Sequence, residues 1–313
     1  MKRAVLSFLV VMLGLWLLQA EQKEERHHRG GASITTNDNT SSDDCSEHLQ
    51  VSGRDSESVV RGEQTQTLPN QPLNIRAEHN GGIQVTTWDR PEFSIKLCKQ
   101  VASSSDTKGR SILDETKLVV EGATISVSAP SRNDDDNDYS LGTLLMVKAP
   151  KDANVNLSVR NGGISLHRFS GTAEAHAENG GISVKQSTGK LTLKAQNGGV
   201  AIKESSGEIT ANVQNGGLSL ALPERWDGKG LDAHTENGGL VVTIPRNFNS
   251  GLEVSGSEHV SIVCRGTACD NGQRTWENGT RMFRLGNSPA QIHATTVNGG
   301  IVIQDAKTDR AEM

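Results

Sequence analysis

Residues able to do chemistry are few in this chain, and none of them form a complete reactive set. Asp134, Asp136 and Asp138 alternate as the first three ligands of a calcium loop do. The sixth position is Tyr139, where the loop's sharp turn needs Gly, and the twelfth is Leu145, where a bidentate Glu is needed, so the segment reads as a solvated acidic loop. His27 and His28 stand in a polar stretch as an isolated pair. Cys264 and Cys269 are five positions apart, with no second Cys pair or His pair beside them to complete a four-ligand zinc site. No metal, cofactor or catalytic residues are therefore predicted, and the chain is read as a non-enzyme.

The four cysteines fit disulfides better, in a chain that begins like an exported protein. Cys264 and Cys269 are close enough to clip one loop, which leaves Cys45 to pair with Cys98. Lys2 and Arg3 precede an apolar stretch from Ala4 to Leu18, and Leu18-Gln19-Ala20 leads into polar sequence. Residues 1–20 therefore read as a secretory signal peptide, and the mature chain is expected outside the cytoplasm, in the periplasm, at the cell surface or released. An uncleaved signal would be the only membrane contact, and the absence of a Cys just after it argues against a lipid anchor. Residues 21–63 are poor in apolar residues and are expected to form a disordered tether; residues 306–313 form a matching tail.

The elements that must position any site come from a repeat. Asn-Gly-Gly begins at Asn161, Asn179, Asn197 and Asn215, eighteen residues apart each time, and again at Asn80, Asn237 and Asn298. A fixed period of this kind means one supersecondary unit stacked on copies of itself. Each copy holds two alternating runs. Ile164 and Leu166, Ile182 and Val184, and Val200 and Ile202 occupy every second position of the first. Ala173, Ala175 and Ala177, then Leu191, Leu193 and Ala195, then Ile209, Ala211 and Val213 occupy every second position of the other. This is the pattern of strands with one buried face. Gly171, Gly189 and Gly207 mark the second corner, and both corners are expected to use residues that tolerate positive φ.

Two folds can use such a unit. An Asn-Gly turn between alternating runs also signals an antiparallel hairpin meander. The exact repeat length, the Asn always at one corner where its amides could ladder, and an inward set rich in Ala favour a parallel, right-handed β-solenoid instead. One all-β domain over residues 64–305 is expected, with no helix after the signal. A single coil buries too little apolar surface to repay the entropy of ordering it, so stability must come from stacking. A charge at Leu193 should then do far more harm than one at Lys194.

The Asn-Gly-Gly followed by Ile-Ser-Leu or Ile-Ser-Val, the segment Ile83-Gln-Val-Thr-Thr-Trp88-Asp89, and Val147-Lys-Ala-Pro150 leading to Val155-Asn-Leu157 together resemble the bacterial putative adhesin domain, a family of unknown function. The resemblance covers most of residues 64–305. It implies a β-solenoid in an envelope or secreted protein, and it brings no catalytic motif.

Function is read more coarsely. Parallel β-helices that cleave polysaccharides need clustered carboxylates. The outward positions here are Ser, Thr, Lys, His, Asn and single Glu residues, with Glu204 and its neighbours at a corner the one exception. Outward columns such as Glu174, Thr192 and Thr210, or His176, Lys194 and Asn212, mix charge types as a solvent face does. Aromatic content is 3%, with Trp88, Trp226 and Trp276 expected to cap coils or fill corners, and Trp226, beside a four-residue insertion, offering a contact surface. A net charge of -5 argues against nucleic acid or a polybasic membrane patch. The resulting expectation is a monomeric, non-catalytic solenoid for adhesion, binding or scaffolding at the cell envelope, with a glycan or protein partner. A self-assembling solenoid is the alternative reading, and a polysaccharide-active enzyme a more distant one.

Overall fold

A computed structural model describes residues 42–50, 58–130, 139–286 and 289–306. The expectations for the signal peptide, for His27 and His28, and for the Asp134–Asp138 loop lie outside these residues.

The chain starts with α1 (Cys45–His48), β1 (Ser58–Pro69), β2 (Leu73–Thr87), β3 (Glu92–Ser103), α2 (Asp106–Glu115), β4 (Lys117–Glu121), β5 (Thr124–Ser128) and β6 (Tyr139–Ala149). The regular coils follow: β7 (Asn154–Asn161) with β8 (Ile164–His167), β9 (Thr172–Asn179) with β10 (Ile182–Lys185), and β11 (Lys190–Asn197) with β12 (Val200–Lys203). They continue as β13 (Glu208–Asn215) with β14 (Leu218–Ala221), and β15 (Gly230–Asn237) with β16 (Leu240–Ile244). The chain ends with β17 (Leu252–Ser257), β18 (Ile262–Arg265), a short helical turn at Thr267–Cys269, β19 (Gln273–Glu277), β20 (Thr280–Leu285), β21 (Ile292–Asn298) and β22 (Ile301–Asp305).

Each coil contributes a four- or five-residue strand to sheet A and a seven- or eight-residue strand to sheet B, and the strands of successive coils pair parallel. Ile182 lies opposite Ile164 and Val200, and Leu193 opposite Ala175 and Ala211. This pairing is that of a coil and excludes the meander for these copies. The alternating residues of both sheets meet in one continuous core, from Leu73 and Ile75 through Leu191 and Leu193 to Ile301 and Ile303. Leu193 is fully buried, whereas Lys194 points outward and donates to Glu174 at 2.8 Å.

Stacking dictates the Asn-Gly-Gly corner. The amide Nδ2 groups of Asn179, Asn197, Asn215, Asn237 and Asn298 each donate to the Oδ1 of the asparagine in the coil before, starting from Asn161, at 3.0–3.2 Å. Asn80 stands in register with Asn161. The first Gly of the corner is sterically required, because a Cβ on Gly180 would lie 1.8 Å from the Gly162 carbonyl oxygen. At the second corner the expectation holds at Gly207, with φ 112°, and is corrected at Gly171 and Gly189. The left-handed residues of all three coils are Arg168, Gln186 and Glu204, at φ 50–51°, three positions before the glycines. Gly171 and Gly189 are there because a Cβ would meet the backbone of the previous coil at 2.2 and 2.1 Å. Inside that corner the buried Ser187 hydroxyl accepts from Phe169 N–H at 3.0 Å, and Ser205 accepts from Ser187 N–H at 3.1 Å, which satisfies donors that would otherwise be lost in the core.

The ends depart from a simple coil. In sheet A, β2 lies between β6 and β8, and in sheet B between β5 and β7, so the first coil in sequence is not the first in space. At the other end, β21 and β22 slot between β15 and β17 and between β16 and β18, so the last Asn-Gly-Gly coil does not close the domain. Most of the outermost strands turn antiparallel, β1 on β3, β3 on β6 and β4 on β5 at one end and β17 on β20 and β20 on β19 at the other, while β18, the last strand of sheet A, pairs parallel with β22.

Two expectations about the N-terminal part are also corrected. The β domain begins at Ser58 instead of residue 64, and residues 42–50 of the expected tether are folded, with Leu49 packed on Cys98, Ala102 and Leu144. The expected absence of helix is overturned by α2, whose N-cap Ser105 accepts from Lys108 N–H and whose Ile112 and Leu113 pack on Val60, Val101 and Tyr139. Lys99 reaches the end of this helix and donates to Leu113 O at 2.6 Å and Thr116 O at 2.7 Å; its partial burial pulls its pKa below the usual lysine value.

Candidate functional site

The short strands of sheet A decide what its outer face can carry. In β8, β10 and β12 two residues point inward, so only two point out, and parallel register lines these up into two rows along the solenoid axis. One row is Gln84, Ser165, Ser183, Ala201, Ser219 and Val241. The other runs from Lys148 through Thr86, His167, Lys185 and Lys203 to Ala221.

Small side chains in the first row, flanked by the second glycines of the corner, leave an open trough of about 740 Å³ spanning six strands. With strands about 4.8 Å apart, it extends over roughly five such steps along the axis. Gln84 also lines a second hollow of about 330 Å³ at the N-terminal end, bounded by Trp88, Lys96, Lys148, His167 and Arg168. The Trp88 indole N–H donates to Glu92 O at 2.7 Å, which fixes the ring. The Arg90 guanidinium lies 4.9 Å and the Lys148 ammonium 5.8 Å from the ring centroid. Asp43, from the segment preceding α1, reaches into this hollow: its carboxylate pairs with Lys148, and its carbonyl accepts from Lys96 at 2.9 Å. Two disulfides are formed, Cys45 with Cys98 and Cys264 with Cys269. The first ties the Asp43 segment to β3.

The outer face of sheet B is different. Its charges are paired across neighbouring coils: Lys194 with Glu174 at 2.8 Å, Arg160 with Glu178 at 3.7 Å, and Lys190 with Glu208 at 2.8 Å. Lys229 is 2.7 Å from the same Glu208. Hydrogen bonds from Lys190 and then Lys229 hold the Glu208 carboxyl down at about 2. Glu204, the corner carboxylate, accepts from Gln186 at 3.1 Å and lies 3.6 Å from Lys203. Among the described residues no three His, Cys, Asp or Glu side chains converge as metal ligands, and no helix is long and apolar enough to cross a membrane.

The tryptophans divide. Trp226 is 2% exposed, its indole N–H donating to Gly207 O at 3.1 Å and its backbone N–H to Ser250 Oγ at 2.8 Å, so it fills a corner as expected, and the contact surface also read there is corrected. Trp276 is 64% exposed beneath the Arg281 guanidinium, 5.0 Å from its ring centroid. Six of the seven corner asparagines, from Asn161 to Asn298, bond to one another in a side-chain ladder, and Asn80 stands in register with it. Sequence reasoning missed the trough and its basic row, although Lys185 and Lys203 are eighteen residues apart at one repeat position and Ser165 and Ser183 at another.

No family model matches the chain, and no curated protein does. Among solved structures, a putative cell adhesion protein from Clostridium sporogenes is 10% identical, with a TM-score of 0.29 over 79% of this chain and 100% of its own. A putative adhesin from Parabacteroides merdae is also 10% identical, with a TM-score of 0.30 over 78% of this chain and 96% of its own. A putative lipid binding protein from Parabacteroides distasonis is 10% identical, with a TM-score of 0.28 over 78% and 97%. At scores this low the likeness decides neither fold nor ligand.

Proposed function

We propose that this protein is a non-catalytic, extracytoplasmic β-solenoid that binds an extended partner at the cell envelope, in adhesion or scaffolding. The observation that carries this reading is the open trough along sheet A, which crosses six strands instead of enclosing a small molecule. A closed, mostly apolar pocket is what a small substrate or cofactor would need. The two disulfides and the signal-like residues 1–20 support a place outside the cytoplasm, since disulfides persist in oxidising compartments. Antiparallel strands cover the N-terminal end of both sheets and the C-terminal end of sheet B, which supports a monomer, because coil-to-coil growth would need matching parallel edges on both sheets.

The test is fractionation of the native host, with mass spectrometry of the mature N-terminus and pull-down of envelope material by the purified chain. A terminus at Glu21 and retention of envelope polymer are expected. A chain recovered in the cytoplasm with reduced cysteines would refute the reading. Size exclusion at rising concentration should show a constant monomer mass, and steady growth would favour self-assembly.

A further inference from the structure

The outer face of sheet A carries an unbalanced charge in a place where the fold could easily have balanced it. Lys185 lies directly opposite Lys203 on one side and His167 on the other, on parallel strands about 4.8 Å apart. Like charges in register on neighbouring strands repel and cost stability. On sheet B the same repeat unit places a carboxylate beside each of Lys190, Lys194 and Lys229. In the basic row of sheet A, Lys203 is 3.6 Å from Glu204 and Lys148 is paired with Asp43, but among the described residues no carboxylate forms an ion pair with Lys185. Arg168 follows His167 at the corner of the same coil, beside the Trp88 hollow.

The row lies beside the trough at the coils of Ser165, Ser183 and Ala201, where it carries His167, Lys185 and Lys203, and continues as Ala221 and Thr243 beside Ser219 and Val241. Its period is one coil, so an occupant would have to present negative charge repeatedly along an extended chain, with a body slim enough to lie on Ser165, Ser183, Ala201 and Ser219. Resting on the proposed binding role, we infer that the trough and its basic row hold a linear acidic polysaccharide, its sugar rings against the Ser and Ala floor and its carboxylates or sulfates along Lys185, Lys203, His167 and Arg168. The ring-to-ring rise of an extended glycan is close to the coil spacing, which lets one sugar meet each coil. Hydroxyl and methyl groups on the floor suit a sugar ring. A single-stranded nucleic acid would need a run of stacking aromatics, and among the described residues Trp88 is the one Trp, Tyr or Phe lining the trough or the hollow beside it. At the Trp88 hollow the Asp43 carboxylate already holds the place that a terminal acidic group of the chain would take on Lys148.

Binding of the purified chain, disulfides intact, to oligogalacturonate tests the inference, with neutral dextran, polyglutamate and a single-stranded oligodeoxynucleotide alongside. Oligogalacturonate should bind, weaken steeply with salt, and be preferred over the other three. Lys185→Glu with Lys203→Glu should lower its affinity at least about tenfold, as expected for reversed charges at a complementary surface. Ser183→Trp, which blocks the trough without changing charge, should also lower it, and Lys194→Glu on sheet B should leave it unchanged. Thermal melts establish that each variant is folded, and Lys185→Gln with Lys203→Gln replaces the charge reversal if that variant melts early. Binding untouched by both sheet A changes, or polyglutamate or oligodeoxynucleotide bound as tightly as the glycan, would overturn the inference. Envelope retention that survives these changes would sink the polysaccharide trough while leaving the broader binding role in place.

Discussion

Gly180 and Gly181 sit side by side in one corner and should respond very differently to a methyl group. A Cβ at Gly180 would stand 1.8 Å from a carbonyl oxygen of the previous coil, whereas at Gly181 the nearest atom is 3.1 Å away. The first clash is with backbone and can be relieved only by separating coils. Gly180→Ala should therefore cost about 3 kcal/mol or more, at the upper end of what overpacking does, and Gly181→Ala about 1 kcal/mol or less; urea denaturation of the two variants measures the difference. Glu208 allows a test by pH. Its carboxyl is held at about 2 in the folded chain, below the ordinary 4.5, by Lys190 first and Lys229 second. A carboxylate with a depressed pKa stabilises the fold above its unfolded value, and that contribution is lost as pH falls through the folded one. Its titration should fall near pH 2 by carboxyl NMR, and Lys190→Met with Lys229→Met should move it back toward 4.5. A midpoint that does not move would show that the lysines are not its cause.

At the scale of strands, the repeat encodes two faces with opposite electrostatic habits. Sheet B pairs its charges from coil to coil, and sheet A lines up Lys185 and Lys203. Removing one member of a repelling pair should relieve strain that serves binding. Lys185→Thr should raise stability by about 0.2–1 kcal/mol in low-salt denaturation, with the gain shrinking as salt screens the pair. An unchanged or lower stability would mean that the row carries no repulsion. Strand length also follows from the faces. The four-residue strands β8, β10, β12 and β14 leave room for only two outward positions each, which is why the trough and the basic row exhaust the outer face of sheet A.

For the whole molecule, the inserted terminal coils change how it should come apart. Neighbouring regular coils are eighteen residues apart along the chain, whereas the Asn237–Asn298 contact spans sixty-one. The C-terminal β21 and β22 lie inside the stack, between β15 and β16 on one side and β17 and β18 on the other. Ending the chain after residue 286 should not simply shorten the solenoid. It should strip β17 and β18 of their parallel partners and leave β19 and β20 attached to β17 alone, and hydrogen exchange should show protection lost over residues 252–285 but retained in the coils from β7 to β14. Retained protection over residues 252–285 would mean that the antiparallel strands β17, β20 and β19 stand on their own. Pairings of such long separation close large loops before any contact rewards them, so folding of the ends should be slower than growth of the middle.

Much of this architecture was legible in the residues alone, because a contact repeated at a fixed separation leaves a periodic trace. The in-out alternation of Leu191, Leu193 and Ala195, the corner asparagines, the parallel stacking and the two cysteine pairings follow from spacing and residue type. What escaped depended on long-range placement or on conformations that composition does not mark. Nothing local in Asn298-Gly299-Gly300 says that its coil lies second from the end, since its neighbours are chosen by sheet pairing with distant strands. Left-handed backbone at Arg168, Gln186 and Glu204 hides behind side chains that usually avoid it, held there by coil-to-coil hydrogen bonds such as Gln186 N–H to Lys203 O at 3.0 Å. Helix α2 has too short an apolar stripe to register as periodicity, and it forms because Ile112 and Leu113 cover the extended ends of β1, β3 and β6. Trp226 fills a corner, as expected, and the contact surface also considered there beside the insertion is closed off, its backbone N–H being held by Ser250. The sequence by itself determined the coil and its buried faces, through short-range alternation and exact period. Only the tertiary structure decided that Ser165 and Ser183 line one open trough with Lys185 and Lys203 in the row beside it, because which outward rows become neighbours depends on the stacking register and on what the N-terminal segment and terminal coils leave uncovered.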